Sequence, residues 1–276
     1  MLKSLNTLII IVLLLAIAIS TYLLSLTQHK ANVEEIRETA NYTVKVAVVV
    51  DNYDFNGYET AWGISVLVET GNNHVILFDT GPSPSILREN LAKLGYSLSD
   101  IDYVVISHEH HDHCGGLEAF KNMGLRVYVP LRASEALKDY VKSLGLALIE
   151  VNDTVNLVDN IYVIGELYGP PWEQALAVNV SGKGLVIIVG CAHPGILSIV
   201  KKACKDLHAK PYIVLGGFHL AGASESRIEK IASELAEIVT YKIYPIHCSG
   251  DGFRRFLEKR FPEKYGDGHV GLVIRV

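Results

Sequence analysis

Ten consecutive residues, Ser107-His108-Glu109-His110-His111-Asp112-His113-Cys114-Gly115-Gly116, restrict the folds open to this chain more than any other segment. Four histidines and two carboxylates fill positions 108–113, directly after the apolar run Tyr103-Val104-Val105-Ile106, which reads as a buried strand. A fold that accepts this sequence must end a core strand at an edge where polar side chains converge. Imidazole and carboxylate are donors for a borderline-soft cation such as zinc, and neutral histidine is its commonest nitrogen ligand. Side chains two apart on extended chain point the same way, so His108 and His110 can grip one ion. Asp112 and His113 follow as the chain turns and can face a second ion, while the same alternation turns Glu109 and His111 away. A solvated histidine-rich loop is the bland alternative, but chance clusters rarely lie between a buried strand and a Gly-Gly turn.

The remaining pattern alternates short apolar strands with amphipathic helices. Val44–Val50, Gly63–Glu69 and Val75–Asp79 read as strands, and further strands are expected at 103–106, 126–130, 160–164, 174–180, 184–190, 212–215 and 241–246. Pro82–Leu94 carries Ile86, Leu87, Leu91 and Leu94 at helical spacing; helices are also expected near Gly116, over 133–144, after Pro194 and over 224–238. His193, His219 and His247 each follow an apolar strand. Every candidate ligand thus falls where a strand ends, and this agreement between separate segments supports one composite site.

The strand His74-Val75-Ile76-Leu77-Phe78-Asp79-Thr80-Gly81, ending in Asp-x-Gly, and the His-x-His-x-Asp-His run together resemble the metallo-β-lactamase superfamily. That resemblance implies an α/β protein, a four-layer αββα sandwich with metals at one edge of its paired sheets. Gly190-Cys191-Ala192-His193-Pro194-Gly195, Gly216-Gly217-Phe218-His219-Leu220 and Pro245-Ile246-His247-Cys248-Ser249-Gly250 are similar to one branch in particular. It is the dihydropterin-ribofuranosylaminobenzene-phosphate synthase-like proteins of methanopterin biosynthesis. Val50-Asp51-Asn52, Gly63–Glu69 and Glu173-Gln174-Ala175-Leu176 fit that branch too.

The ligand assignment that follows places His108, His110 and His193 on a first ion, and Asp112, His113 and His247 on a second. Asp79 is expected to hydrogen-bond a ligand and fix its orientation instead of binding the ion. Zinc is the default cation, one ion or two, with manganese, iron and magnesium open. In the wider superfamily an aspartate bridging both metals usually ends the strand equivalent to 184–190, whereas Cys191 stands here. Cys191 is either a thiolate ligand or a buried, inert thiol. His219 can serve as a ligand, as an acid for the leaving group or as a contact to phosphate; capping a strand end is its bland role. Arg254 and Arg255 can offer charge to a phosphate, or form a solvated helix face. The loop around Tyr168, Pro171 and Trp172 offers a stacking surface or core packing.

Composition limits the functions on offer. Of 276 residues, 49% are hydrophobic and 20% charged, enough to bury a sizeable core. A formal net charge of -5 and no Lys/Arg-rich run argue against a nucleic-acid partner. Three of four cysteines (Cys114, Cys191, Cys248) lie within motifs, which suggests site chemistry or packing and not a disulfide framework.

The N-terminus is a separate feature. No charge lies between Lys3 and Lys30, and Thr7 to Leu26 supplies the roughly 20 mostly apolar residues that cross a bilayer. A cleaved signal peptide is the rival, with Ala16-Ile17-Ala18 as a cleavage site. Residues 1–27 are therefore expected to be a transmembrane anchor or signal segment, 28–42 a tether and 43–276 the catalytic domain, anchored to the membrane and outside the cytoplasm. The expected function is metal-dependent hydrolysis of a small-molecule phosphoester or lactone by a metal-activated water, with Asp112 and His219 as catalytic groups. A synthase-like transferase acting on a phosphorylated or pterin-like substrate and a non-catalytic, membrane-tethered metal-binding sensor are the alternatives.

Overall fold

A computed structural model describes residues 19–20 and 44–276. The expected anchor and tether lie outside the described residues apart from Ile19 and Ser20, and among the described residues no helix is long and apolar enough to cross a membrane. Residues Thr43–Val276 form one compact unit.

Seven strands make the first sheet: β1 (Val44–Val50), β2 (Ser65–Thr70), β3 (Val75–Phe78), β4 (Tyr103–Val105), β5 (Arg126–Pro130), β6 (Ala147–Val151) and β13 (Val273–Arg275), in the order β13-β1-β2-β3-β4-β5-β6. Six make the second: β7 (Val155–Val158), β8 (Ile161–Tyr168), β9 (Trp172–Val180), β10 (Gly184–Val189), β11 (Pro211–Gly216) and β12 (Lys242–Pro245), in the order β12-β11-β10-β9-β8-β7. The helices are α1 (Pro84–Lys93), α2 (His111–Cys114), α3 (Glu135–Ser143), α4 (Ile196–Leu207), α5 (Glu225–Ile238) and α6 (Gly250–Arg260).

The period of two along each strand builds the layers. Val46 and Val48 of β1 face a core between the sheets, where they join Val66, Ile76, Phe78, Leu176, Val186, Ile188 and Leu215. Their neighbours Ala47 and Val49 face the opposite way, with Leu67 and Leu77, against Leu87 and Leu91 of α1 and Leu137 and Val141 of α3. On the second sheet Leu185, Ile187, Val189 and Val214 pack under Ile199 and Val200 of α4, Ala232 and Leu235 of α5, and Phe253 of α6. Three cores between four layers make this the expected αββα sandwich. Burial on both faces explains why the strands read as unbroken apolar runs, and each fully buried Val, Leu or Ile contributes roughly 1.5–3 kcal/mol.

Strand direction positions the site. β3, β4, β5 and β6 run parallel to one another, as do β10, β11 and β12. Phe78 is level with Val105, and Val189, Gly216 and Pro245 are level across the second sheet. The loops leaving five strands therefore open at one edge, where parallel sheets commonly hold ligands.

Three expectations need correction. Near Gly116 the short α2 passes into a 3-10 segment, Gly115–Phe120, where an ordinary helix was expected. The Gly116 amide donates to the Gly81 carbonyl (2.8 Å) and the Thr80 amide to the His113 carbonyl (2.7 Å), tying this stretch to the Asp79 turn. Strands β6, β7 and β13 were not anticipated; β6 and β7 are largely exposed edge strands without an apolar face to advertise them. The helix considered for Arg254 and Arg255 is α6, but its start at Gly250 was not anticipated, since Gly250 and Gly252 lower helix propensity.

Candidate metal centre

The loop after β4 and the turns after β10 and β12 bring six side chains together. The donor atoms of His108, His110 and His193 lie within 4.8 Å of one another, and so do those of Asp112, His113 and His247. These are the two sets assigned from the sequence. They adjoin: the His108 and His113 rings are 4.0 Å apart between centroids, and the His108 and His193 rings 4.7 Å. His108 Nε2 and His110 Nδ1 approach to 3.1 Å, while an Asp112 oxygen lies 3.3 Å from His247 Nε2 and 3.7 Å from His113 Nε2.

A buried carboxylate network fixes which ring nitrogen is free. Asp79, fully buried, accepts from the Ser107 amide (2.6 Å), the Ser107 hydroxyl (2.7 Å) and His113 Nδ1 (2.7 Å). With its proton committed to Asp79, the Ser107 hydroxyl is an acceptor for His108 Nδ1 at 2.8 Å. Glu173, also buried, accepts from His193 Nδ1 at 2.9 Å. In His108, His113 and His193 the Nδ1–H is thus held, leaving Nε2 as the lone-pair atom, the carboxylate–histidine arrangement of metal sites.

Electrostatics favour the ligating forms of His108, His110 and Asp112. Burial, then the neighbouring His113 and His193, depress the His108 pKa well below the usual imidazole range, so its ring is neutral. Burial and His193 lower His110 likewise. Burial opposes charge on His113 too, but the Asp79 carboxylate outweighs it and raises the pKa. Burial pushes Asp112 upward, yet the His247 hydrogen bond and the nearby histidines hold it at about 2.

Three residues matter here whose roles sequence reasoning missed. Glu173 enters on β9, antiparallel to β10, and accepts from the amides of Cys191 (2.9 Å), Ala192 (2.8 Å) and His193 (2.8 Å), so one carboxylate shapes the whole turn. Gln174 beside it joins the sheets: its amide donates to the Ser107 carbonyl (3.0 Å) and its Nε2 to the Ile106 carbonyl (2.9 Å). Asp51 accepts from the His247 amide at 2.8 Å and carries a pKa raised to about 6, burial outweighing that hydrogen bond. All three lie in stretches that matched the synthase-like branch, the only sequence signal for them. Asp79, Ala192, His219 and His247 hold positive φ (49–56°) without being glycine, backbone strain of the kind that collects at functional sites. Glu173→Gln places an amide NH₂ among these donors; it is expected to weaken metal binding about 10–100-fold, measured by competition with a chromogenic chelator.

Cys191 Sγ lies 3.3 Å from His113 Nε2 and within reach of His108, so it can join the cluster as a donor. On its other side Cys248 Sγ is 3.2 Å away. The hydrogen bond between these thiols lowers the Cys248 pKa, an effect to which His219 adds, and with burial raises that of Cys191. His219 is exposed beside His193 (4.7 Å between centroids), and its hydrogen bond to Cys248 raises its pKa. Glu109 turns away as expected and accepts from the Ser134 amide ahead of α3 (2.5 Å). Arg254 is consumed structurally by the Gly268 carbonyl (2.8 Å) and Asp267 (2.7 Å), and Arg255 faces solvent near Asp251 (3.8 Å), so the structure brings neither to the cluster.

The residues fit a divalent cation. The imidazoles of His108, His113 and His193, with Nδ1 anchored and Nε2 left to bind, beside the ionised Asp112 carboxylate, are a donor set suited to zinc and related ions. His247 adds a buried Nδ1 with no hydrogen-bond partner, a desolvation cost that coordination offsets, while its Nε2 has the Asp112 oxygen at 3.3 Å.

Comparison with known proteins agrees. Residues 63–124 match the metallo-β-lactamase superfamily profile. An uncharacterized protein of Methanocaldococcus jannaschii is 30% identical over 84% of this chain and all of that one. A protein of the same organism named 7,8-dihydropterin-6-methyl-4-(β-D-ribofuranosyl)-aminobenzene-5'-phosphate synthase is 28% identical, covering 80% of this chain and 94% of its own. The crystal structure of a metal-dependent hydrolase of the β-lactamase superfamily superposes with a TM-score of 0.73 at 28% identity, over 84% of this chain and 99% of that one. With this fold, these strand-end donors and these relatives, the chain belongs to the metallo-β-lactamase superfamily.

Proposed function

We propose that the protein is a metal-dependent hydrolase of a small phosphoester or lactone, with His108, His110 and His193 holding one divalent ion and Asp112, His113 and His247 a second. The observation that carries this reading is the pair of adjoining donor sets, each with one histidine, His193 in the first and His113 in the second, whose Nδ1 is tied to a buried carboxylate. Bound there, the ions supply Lewis-acid polarisation of the substrate and acidify water. The protein's own groups manage protons and orientation. Asp112, ionised across the working range, takes the proton of the attacking water. His219, exposed and beside His193, returns a proton to the leaving oxygen. Asp79 and Glu173 hold the histidine rings in place, so the geometry is set before substrate arrives.

The test is a panel of chromogenic phosphodiester, phosphomonoester and lactone substrates, run on the zinc- or manganese-loaded protein before and after chelation. Turnover of one class that disappears on chelation and returns with metal is expected. Tight metal binding with no turnover of any class sinks the hydrolase reading. The second reading, a synthase-like group transfer, is favoured by the 28% identity over 80% of the chain to the dihydropterin-ribofuranosylaminobenzene-phosphate synthase. It predicts turnover only when a pterin and a phosphorylated ribosyl-aniline are supplied together.

A further inference from the structure

A large aromatic side chain stands exposed at the edge of the second donor set. Trp62 is 58% exposed, and its ring lies 4.7 Å from that of His247, tilted by 54°. The chain on both sides of it is anchored. The Ala61 amide donates to the Asp51 carbonyl (3.2 Å), and Asp51 in turn accepts from the His247 amide. Beyond it, the Ile64 amide donates to the Asp112 carbonyl (3.3 Å). Gly63 lies so close to the metal loop that a Cβ would fall 2.4 Å from the Asp112 carbonyl oxygen. The backbone that carries the indole is therefore held in position relative to His247 and Asp112, while the indole keeps much of its surface in water. An indole more than half exposed is not core packing, and aromatic side chains beside a few convergent polar groups are what line ligand sites.

The opposite end differs. Tyr168 is also exposed, and its loop rests on the His193 turn: a Cβ at Gly169 would fall 2.4 Å from Pro194. However, the Tyr168 ring already packs on Trp172 (5.0 Å), which carries the Arg132 guanidinium 4.6 Å from its centroid. His247 is the one ring neighbour of Trp62 among the described residues, and it meets the indole at a tilt instead of covering a face.

Resting on the reading of the donor sets as the reaction centre, we infer that Trp62 is the stacking face of a subsite for a flat heteroaromatic ring carried by the substrate. The ring lies on the indole, and the ester joined to it extends over Asp112 and His247 toward the metals. Indole is the strongest stacking and cation-binding surface among side chains, and stacking accepts any flat ring without reading its edge. The subsite thus selects for ring-bearing substrates over aliphatic ones.

The chain has two tryptophans, so the indoles can be separated spectroscopically. The metal-loaded full chain is titrated with adenosine 5'-monophosphate, pterin-6-carboxylate and, as the control without an aromatic ring, ribose 5-phosphate. Fluorescence and calorimetry are recorded for the wild type, Trp62→Leu, Trp62→Phe and Trp172→Phe. At least one ring probe is expected to quench the wild type and Trp172→Phe, and to bind Trp62→Leu about 5- to 150-fold more weakly. Trp62→Phe is expected to restore most of the affinity, with ribose 5-phosphate binding and metal content unchanged in all variants. Equal ring-probe affinity in Trp62→Leu and the wild type overturns the inference, as does a wild type that binds neither ring probe better than ribose 5-phosphate. Both results leave the hydrolase reading standing, since metal content and chelation-sensitive turnover decide that separately.

Discussion

His110→Ala is expected to keep its fold and lose its metal. His110 is exposed, whereas its partner His108 is fully buried, so removing the His110 ring leaves no cavity in the core. On the proposed assignment its contribution is to ligation: without it, the first donor set falls to His108 and His193. Metal catalysis supplies several kcal/mol of transition-state stabilisation. At about 1.36 kcal/mol per tenfold, turnover should drop on the order of 10³-fold or more. Elemental mass spectrometry should show at least one metal equivalent missing, with the circular dichroism spectrum and thermal midpoint of the apo forms unchanged. Full metal content with unimpaired turnover in this variant excludes His110 as a ligand and breaks the first donor set.

Asp79→Ala is expected to do the opposite and strike stability first. Its carboxylate is inaccessible to solvent and accepts from the Ser107 amide, the Ser107 hydroxyl and His113 Nδ1. Truncation leaves those donors unpaired and His113 without its counter-charge. Breaking a buried charged pair costs about 3–5 kcal/mol. For a domain of this size that is a fall in Tm of roughly 6–20 °C, measured by calorimetry on metal-free protein. Because the same carboxylate aims His113 directly and His108 through Ser107, metal affinity should fall as well. A midpoint within about 2 °C of the wild type, under the scaling just used, would falsify the account of Asp79 as the anchor of the loop.

Legibility differed by region for physical reasons. The convergence of the donors in the loop after β4 could be read because they are adjacent in sequence and their strand is apolar on both faces. His193 and His247 could be read because each ends an apolar strand, and parallel strands bring such ends to one edge. Glu173 could not. Its role depends on the antiparallel pairing of β9 with β10, and its main partners are backbone amides, which carry no residue signature. The contact between Cys191 and Cys248 depends on packing across 57 positions. Edge strands β6 and β7 lack the half-buried alternation that marks a strand, and Arg254, open in the sequence to a phosphate contact or a solvated helix face, is held by the carbonyls of Pro245 and Gly268.

Each donor set draws on both sheets. His108 and His110 leave β4 of the first, and His193 leaves β10 of the second; Asp112 and His113 come from the first, and His247 follows β12 of the second. A cation in either position is thus a rivet through the open edge of the sandwich, alongside the Gln174 hydrogen bonds that already span it. Binding that favours the closed edge adds to the stability of the whole domain, and by the same linkage any change that spreads the sheets is felt as lost affinity. Residues far from the cluster, in the core between the sheets, therefore belong to the proposed metal site in the energetic sense: they set how far apart the two halves of each donor set are held.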